Sequence, residues 1–426
     1  MDTPNLPPPL DPREQPVLQS LRVLRDQLTL LKQDRTTYVK SSDVMPLYDK
    51  VVEQVKLLNE IRADKPTEDN QVDRVLDGCF QLLSLFFMTI GRNNEAPAAY
   101  ALTSTIKRLL DHLVEVDIYS EKDLAHISQT LERLREMVKA ASSSHSENFI
   151  TLLSNRIEVC QRSLVTLNTR LARLSDEIMP TYEKLISILR SLSLANTKSK
   201  FSATEVQKLQ AQLKEIDAQR KEGKFVTVNG EVLAGDHEVS ELLTKGIYWA
   251  NMVLERKGVC PEPFREKYQT LVEIRNKLEK LSLTQAWSLR ETDLYDYQRQ
   301  LDRIDESRID GNFVDSEGNF AELYVQRTLL YLIRRSYAYI YFLMIASEPV
   351  SEALLPVYNQ LQTLKRCLLE VQNSGGLNSL DNMRVDGKFM VGKEIPEGQG
   401  SVIELLSECF ELNYELRVAA EQETDD

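Results

Sequence analysis

Gln300-Leu-Asp-Arg-Ile-Asp-Glu-Ser-Arg-Ile-Asp-Gly-Asn-Phe-Val314 is one of three related stretches in this chain. Upstream, Gln212, Leu213, Ile216, Asp217, Arg220, Gly223, Phe225 and Val226 fall on matching offsets. Downstream, Leu377, Leu380, Asp381, Arg384, Asp386, Gly387, Phe389 and Met390 follow them more loosely. A helical run closing in Gly-x-Phe and recurring three times marks an array whose units each bury part of a face on a neighbour. The glycines fit a left-handed helix stop, where a Cβ costs on the order of 1 kcal/mol. Phe225, Phe313 and Phe389 are placed to pack back on the helix ends, each ring worth roughly 1.5 to 3 kcal/mol when buried. The motif therefore reads as structure, not as a ligand loop.

A second signature starts helices. Pro46-Leu-Tyr-Asp-Lys-Val returns at Pro180, Pro263 and Pro356. Proline suits the first helical turn, where its missing N–H would be unpaired anyway. Asp49, Glu183 and Glu266 follow three residues on and favour the positive end of the helix dipole, a term Asn359 lacks in the fourth copy.

Outward from these markers the chain divides. Residues 1–15 are proline-rich and expected to be disordered. Residues 16–146 form an N-terminal helical bundle. It begins with Leu18, Leu21, Leu24, Leu28 and Leu31 on one helix face, and its widest apolar face is Val72 to Phe86. Ser142, Ser143, Ser144 and Ser146 mark the linker. Three helical units are expected at 147–235, 236–318 and 319–400, and 401–426 is a capping helix with an acidic tail that frays from Glu421. Ile150, Leu153, Ile157, Cys160, Leu164, Leu167, Leu171, Leu174 and Ile178 keep coiled-coil spacing over one long helix. That seam is closed either by the chain's own helices, which its embedded position favours, or by a second copy. Ser202 to Glu205 and Ser288 to Asp293 resemble N-terminal caps. Asn229-Gly230 between two valine-rich runs looks like a hairpin turn, so the fold class is all-α, an extended tandem bundle or solenoid-like array with a minor hairpin.

Composition bounds function. The 426 residues are 42% hydrophobic and 27% charged, the balance of a folded soluble chain. A formal charge of -13 argues against general binding to nucleic acid or anionic membranes. Cys79, Cys160, Cys260, Cys367 and Cys409 contain no Cys-x-x-Cys pair and read as reduced thiols of a cytosolic protein. The N-terminus is not a signal peptide, and the apolar runs at 82–90 and 337–346 are much shorter than the roughly 20 residues of a spanning helix. A cytoplasmic location is expected, with nuclear entry open.

Fragments of familiar chemistry each fail on a particular residue. Gly387 to Lys393 has phosphate-loop spacing, but Glu394 stands where a hydroxyl must hold magnesium. His237-Glu238-Val-Ser-Glu241 lacks the second zinc-binding histidine. Asp310 to Glu317 resembles a calcium loop, yet Arg308, Arg220 and Arg384 fall on an oxygen-ligand position. Tyr331, Tyr337, Tyr339, Tyr341 and Phe342, beside Arg334 and Arg335, read as buried packing with hydroxyls reaching partners rather than as base-stacking groups. No catalytic, cofactor-binding or metal residues are assigned.

Leu243-Thr-Lys-Gly-Ile-Tyr-Trp-Ala-Asn-Met252, Arg308-Ile-Asp-Gly-Asn-Phe-Val-Asp315 and Tyr331-Leu-Ile-Arg-Arg-Ser-Tyr-Ala-Tyr-Ile-Tyr341 resemble a fungal family of uncharacterised proteins with a domain of unknown function. The resemblance spans about Val17 to the last helix. It implies a fungal protein of cytoplasm and nucleus and supplies no catalytic residues. Repetition without reaction motifs, on an acidic chain, points to a non-enzymatic scaffold or adaptor that binds other proteins, with a monomer favoured and the oligomeric state left open. The rivals are an enzyme whose site is assembled between helices, and a peripheral membrane or cytoskeletal tether.

Overall fold

The computed structural model describes residues 6–63, 69–284, 289–370, 380–392 and 394–424. It is all-α, as the periodicities require. The helices are α1 (Glu14–Gln33), α2 (Ser41–Arg62), α3 (Gln71–Thr89), α4 (Ala99–Val116), α5 (Glu121–Ala140), α6 (Glu147–Leu171) and α7 (Met179–Asn196). They continue with α8 (Ala203–Asp217), α9 (Asp236–Arg256), α10 (Arg265–Thr284), α11 (Leu294–Glu306), α12 (Leu323–Ile345), α13 (Leu355–Glu370) and α14 (Gln399–Thr424). Among the described residues, extended structure is one short ladder, β1 (Arg384–Val385) with β2 (Lys388–Phe389), plus isolated bridges.

Apolar periodicity places the core. α1 buries Val17, Leu18, Leu21, Leu24 and Leu28, while α3 is covered on nearly every side by α1, α2, α4 and α11. α6 turns Phe149, Leu153, Ile157, Cys160, Leu164, Leu167 and Leu171 onto α4 and α5, so the seam is closed within the chain. α12 is the central strut: it rests on α4, α7, α9, α10 and α11. One continuous apolar core runs from Val17 to Met344, and a second, from Val350 to Cys409, belongs to α13, α14 and the third repeated segment.

The repeated stretch builds the same device three times. Glu222-Gly223, Asp310-Gly311 and Asp386-Gly387 all have positive φ (51° and 81°, 48° and 77°, 50° and 77°). Lys221 pairs with Lys224, Ile309 with Asn312 and Val385 with Lys388 around them. Two successive left-handed residues between paired ones make a two-residue hairpin of the I′ kind. The glycines are thus the second residue of a hairpin and not helix stops; α8 and α11 end earlier, at Asp217 and Glu306, on right-handed caps. The phenylalanine that follows is buried in each copy, and its N–H donates to a side chain of the next helix. The bonds are Phe225 to Asp236 (2.7 Å), Phe313 to Gln326 (2.8 Å) and Phe389 to Gln399 (3.0 Å). Ion pairs Asp217–Arg220, Asp305–Arg308 and Asp381–Arg384 brace the helix side, and Arg308 also reaches the Gly311 carbonyl at 2.9 Å. The expected turn at Asn229-Gly230 is present as a three-residue loop, Val228 to Gly230, and it has a twin at Ser316 to Gly318.

Four local expectations are corrected. The helix through Ile150 ends at Leu171 rather than Ile178, because the crossing that follows α8 folds back there. Ala234 takes the Ser175 N–H at 3.0 Å, and Gly235 lies so close to Leu174 that a Cβ would meet it at 2.4 Å. Pro46 lies inside α2, which a turn at Lys40 to Asp43 starts earlier; Pro180, Pro263 and Pro356 do stand in first turns. α14 remains helical to Thr424, where fraying from Glu421 was expected. α11 starts at Leu294 after a 3-10 turn at Glu291–Asp293, while Ser202 caps α8 as expected, its hydroxyl accepting from Glu205 N. Ser288, Lys393 and Leu377 lie outside the described residues.

The two cores meet around Val350 to Glu352, through main chain and through the ion pairs Arg290–Glu352, Arg92–Glu397 and Lys40–Glu394. Ser351 N donates to the Glu397 carbonyl (3.2 Å) and Glu352 N to the Thr89 carbonyl (2.8 Å). Gly91 and Gly398 flank this segment from both sides. A Cβ on Gly91 would lie 2.7 Å from Ser351 N, and one on Gly398 2.7 Å from the Val350 Cα.

Candidate functional site

The near-miss motifs do not converge. His237 is on the first turn of α9, where Glu241 pairs with Lys245 at 2.6 Å. Glu394 pairs with Lys40 at 2.8 Å, and Asp315 accepts the N–H groups of Glu317 and Asn319 in its own turn. Among the described residues no group of three His, Cys, Asp or Glu is placed to hold a metal ion, and no helix is long and apolar enough to cross a membrane. The tyrosines of α12 behave as packing groups: Tyr337 donates to Asp302 (2.6 Å), Tyr339 to Glu279 (2.9 Å), and the Tyr341 hydroxyl meets His126 Nδ1 (2.8 Å).

Two cavities flank α12, one on each side. The first, about 270 Å³, separates α3, α4 and α6 from α11 and α12. Its groups largely satisfy one another. Burial raises the Asp302 carboxyl, an effect that Arg108 and the Tyr337 hydroxyl partly offset. Burial also disfavours charge on Asp305, but His112 Nε2 at 3.0 Å and the guanidiniums of Arg308 and Arg108 hold it below the usual range. Arg74 and Arg108 both bind Glu306, and Arg156 binds Tyr100 and Ser104. The network ties α11, the helix of the repeated stretch, to the N-terminal helices.

The second cavity is less self-satisfied. About 370 Å³ in volume, it opens between α12, α7 and the facing ends of α4 and α5, with Leu109, Leu113, Ile127, Ala338 and Phe342 as an apolar floor. Four basic side chains line it (Lys122, Arg190, Arg334 and Arg335) against one carboxylate, Asp123. That carboxylate is already engaged. It caps α5 by accepting Ser120 N and Oγ, both at 2.7 Å, and it binds Arg190. Arg335 stacks on Tyr339 and donates to its hydroxyl at 3.0 Å.

Arg334 has no such partner. Its Nη1 is buried without a hydrogen bond, and no ion pair forms to it among the described residues. Burial, with Arg190 adding like-charge repulsion and Tyr331 and Asp123 offsetting only part of it, pushes its guanidinium down to about 10. Past Ile118, Tyr331 and Arg334 the cavity continues into a depression of about 350 Å³, where Arg327 lies 5.8 Å over the Trp249 ring. Arg327 is likewise lowered by burial, and no carboxylate among the described residues pairs with it. An apolar trough with two uncompensated guanidiniums favours a ligand that brings negative charge and apolar surface together, since charge-assisted bonds gain strength away from water.

The sequence had flagged Arg334 only as a neighbour of tyrosines and had passed over Arg327. The readable signal was the pair itself: two arginines seven residues apart, hence on one face, in a mostly apolar helix whose one other charged residue is Arg335.

Residues 171–291 match the family described as protein of unknown function (DUF2408). A CUB1 family protein from Schizosaccharomyces pombe is 38% identical over 431 residues, covering 96% of this chain and 94% of that protein. The Cu(2+) suppressing and bleomycin sensitive protein 1 of Saccharomyces cerevisiae is 34% identical over 505 residues, covering 96% of this chain and 90% of its own length. No solved structure matches. With near-complete coverage by both relatives, the chain belongs to the CUB1 family of fungal proteins, whose shared domain has no assigned function.

Proposed function

We propose that the protein is a non-enzymatic adaptor that holds a segment of another protein in the cleft between α12, α7, α4 and α5. One observation carries this reading: Arg334 is a half-buried cation with no ion-pair partner among the described residues and a buried, unpaired Nη1, opening on an apolar floor in a chain of net charge -13. A half-buried guanidinium with an unpaired buried N–H group costs stability, so keeping one at a cavity is explained by a ligand that completes it. The name of the Saccharomyces cerevisiae relative speaks of Cu(2+) suppression and bleomycin sensitivity; in this chain such effects would follow from the partner held.

A photo-crosslinking amino acid in place of Ala338, in the full chain expressed in fungal cells, tests the reading. A protein adduct that disappears when Arg334 is changed to Glu supports it, and the absence of any protein adduct overturns it.

A second reading rests on the polar cavity, where Gln81 Oε1 and Gln298 Oε1 are buried without partners beside Asp302 and Tyr337. There the protein would bind a small polar molecule between helices, as an enzyme could. Native mass spectrometry of the gently purified chain decides: a stoichiometric small-molecule adduct favours it, and the bare mass removes it.

A further inference from the structure

Arg327 and Arg334 are two turns apart on α12, about 10 Å along its axis. Each faces the same continuous cleft, Arg327 beside Trp249 and Arg334 at the join with the apolar floor. The order along the cleft is cation, spacer, cation, then Ala338 and Phe342. An extended peptide in the polyproline II conformation advances about 3.1 Å per residue and brings every third side chain back to the same face, so three residues cover the distance between the arginines with both side chains turned toward α12.

Building on the adaptor reading, we propose that the cleft recognises an extended partner segment with two acidic side chains three residues apart and apolar residues beyond the second. Arg334 takes one acid, Arg327 the other, and the floor formed by Leu109, Leu113, Ile127 and Phe342 takes the apolar side chains. Charge complementarity selects the occupant. Glu115 and Asp117, which also line the outer depression, are held by Arg308 and Arg170 and so do not neutralise Arg327. An anionic membrane fits less well, because a fluid sheet of headgroups meets the acidic surface as well as the recessed cations.

The test is selection of a random dodecapeptide library on the full chain, followed by affinity measurements on the enriched peptides. The expected result is enrichment of acid-x-x-acid next to apolar residues, with binding about tenfold or more weaker for R334Q and for R327Q, the loss of one charge-assisted bond. Changing the acids of a peptide to amides should weaken it similarly on the wild type and little on the double variant. Enriched peptides that suppress formation of the Ala338 adduct but show no acidic pair, or are indifferent to R334Q and R327Q, overturn the acid rule and leave the adaptor reading standing. Failure of both selection and crosslinking removes both. Arginine-dependent binding to phosphatidylserine vesicles, or much tighter peptide binding by a chain ending at Ala420, also overturns the proposal, the latter by naming the chain's own acidic end as occupant. Circular dichroism of each variant shows that loss of binding is not loss of fold.

Discussion

Phe313 and Gln326 are joined by both ends of one amide: Phe313 N–H donates to Gln326 Oε1 at 2.8 Å, and Gln326 Nε2 donates back to the Phe313 carbonyl at 3.1 Å. Phe389 and Gln399 repeat the clasp at 3.0 and 2.8 Å, while Phe225 receives only the acceptor half, from Asp236. The side chain fixes main-chain groups that a crossing segment leaves without ladder partners. Gln326→Ala should therefore cost about 1 to 3 kcal/mol. Gln326→Glu should also destabilise, because a carboxylate cannot donate to the Phe313 and Ala321 carbonyls. Urea denaturation reads both, and an unchanged midpoint for Gln326→Ala would sink the claim.

Two glycines should respond differently to the same methyl. Gly311 has φ +77° with only Glu115 Oε1 nearby, at 3.9 Å from a built Cβ, so Gly311→Ala should lose on the order of 1 kcal/mol from conformation alone. Gly91 combines φ +83° with main chain at 2.7 Å, and overpacking adds roughly 1 to 3 kcal/mol. Equal thermal shifts for the two variants would contradict the assignment of main-chain contact to Gly91.

Arg334→Met should stabilise the folded chain by about 1 kcal/mol, since it removes a desolvated charge and leaves apolar volume in a trough already lined by leucine and phenylalanine. The same variant should lose partner binding. A lower denaturation midpoint for Arg334→Met would mean that the guanidinium has a structural partner.

Glu291 supplies a pH dependence of defined sign. Buried between Thr89 and Ser347, its carboxyl is raised by burial, and the hydrogen bonds from those hydroxyls offset this only in part. The folded chain then keeps the proton to higher pH than the unfolded chain does. Across that interval the folded state binds more protons, so stability falls as pH rises from the ordinary glutamate value through the raised one. Glu291→Gln should remove this slope. Denaturation midpoints for both proteins, taken from about pH 4 to about pH 8, should coincide most nearly in acid and diverge toward neutrality in favour of the variant. Parallel curves would exclude Glu291 as the source.

Much of the helical fold was legible because its signals are local. Leu18, Leu21, Leu24 and Leu28 state a helix face, Ser202 and Glu205 state a cap, and the three Gly-x-Phe copies state equivalent surroundings, which the clasps of Phe225, Phe313 and Phe389 share. What went astray depended on partners distant in sequence. α6 stops at Leu171 because Ala234 and Gly235 arrive there, and nothing near residue 171 announces them. The glycine was misread as a helix stop because a left-handed residue serves both a cap and a hairpin; the preceding Glu222, Asp310 and Asp386, also left-handed, decide between them only in three dimensions. The cleft was hidden for a related reason: arginine on a helix is ordinarily solvated, and only the placement of Asp123 on Ser120 and Arg190 shows that Arg334 has been left without an ion-pair partner.

The passage of Val350 and Ser351 between Gly91 and Gly398 has an evolutionary consequence. The boundary combines this close main-chain passage with the ion pairs Lys40–Glu394, Arg92–Glu397 and Arg290–Glu352, so residues inside either core can drift without altering how the C-terminal module is oriented as long as the crossing groups are kept. Such a hinge-free coupling lets one half acquire new surface features while inheriting its attachment unchanged, provided the pair of glycines survives.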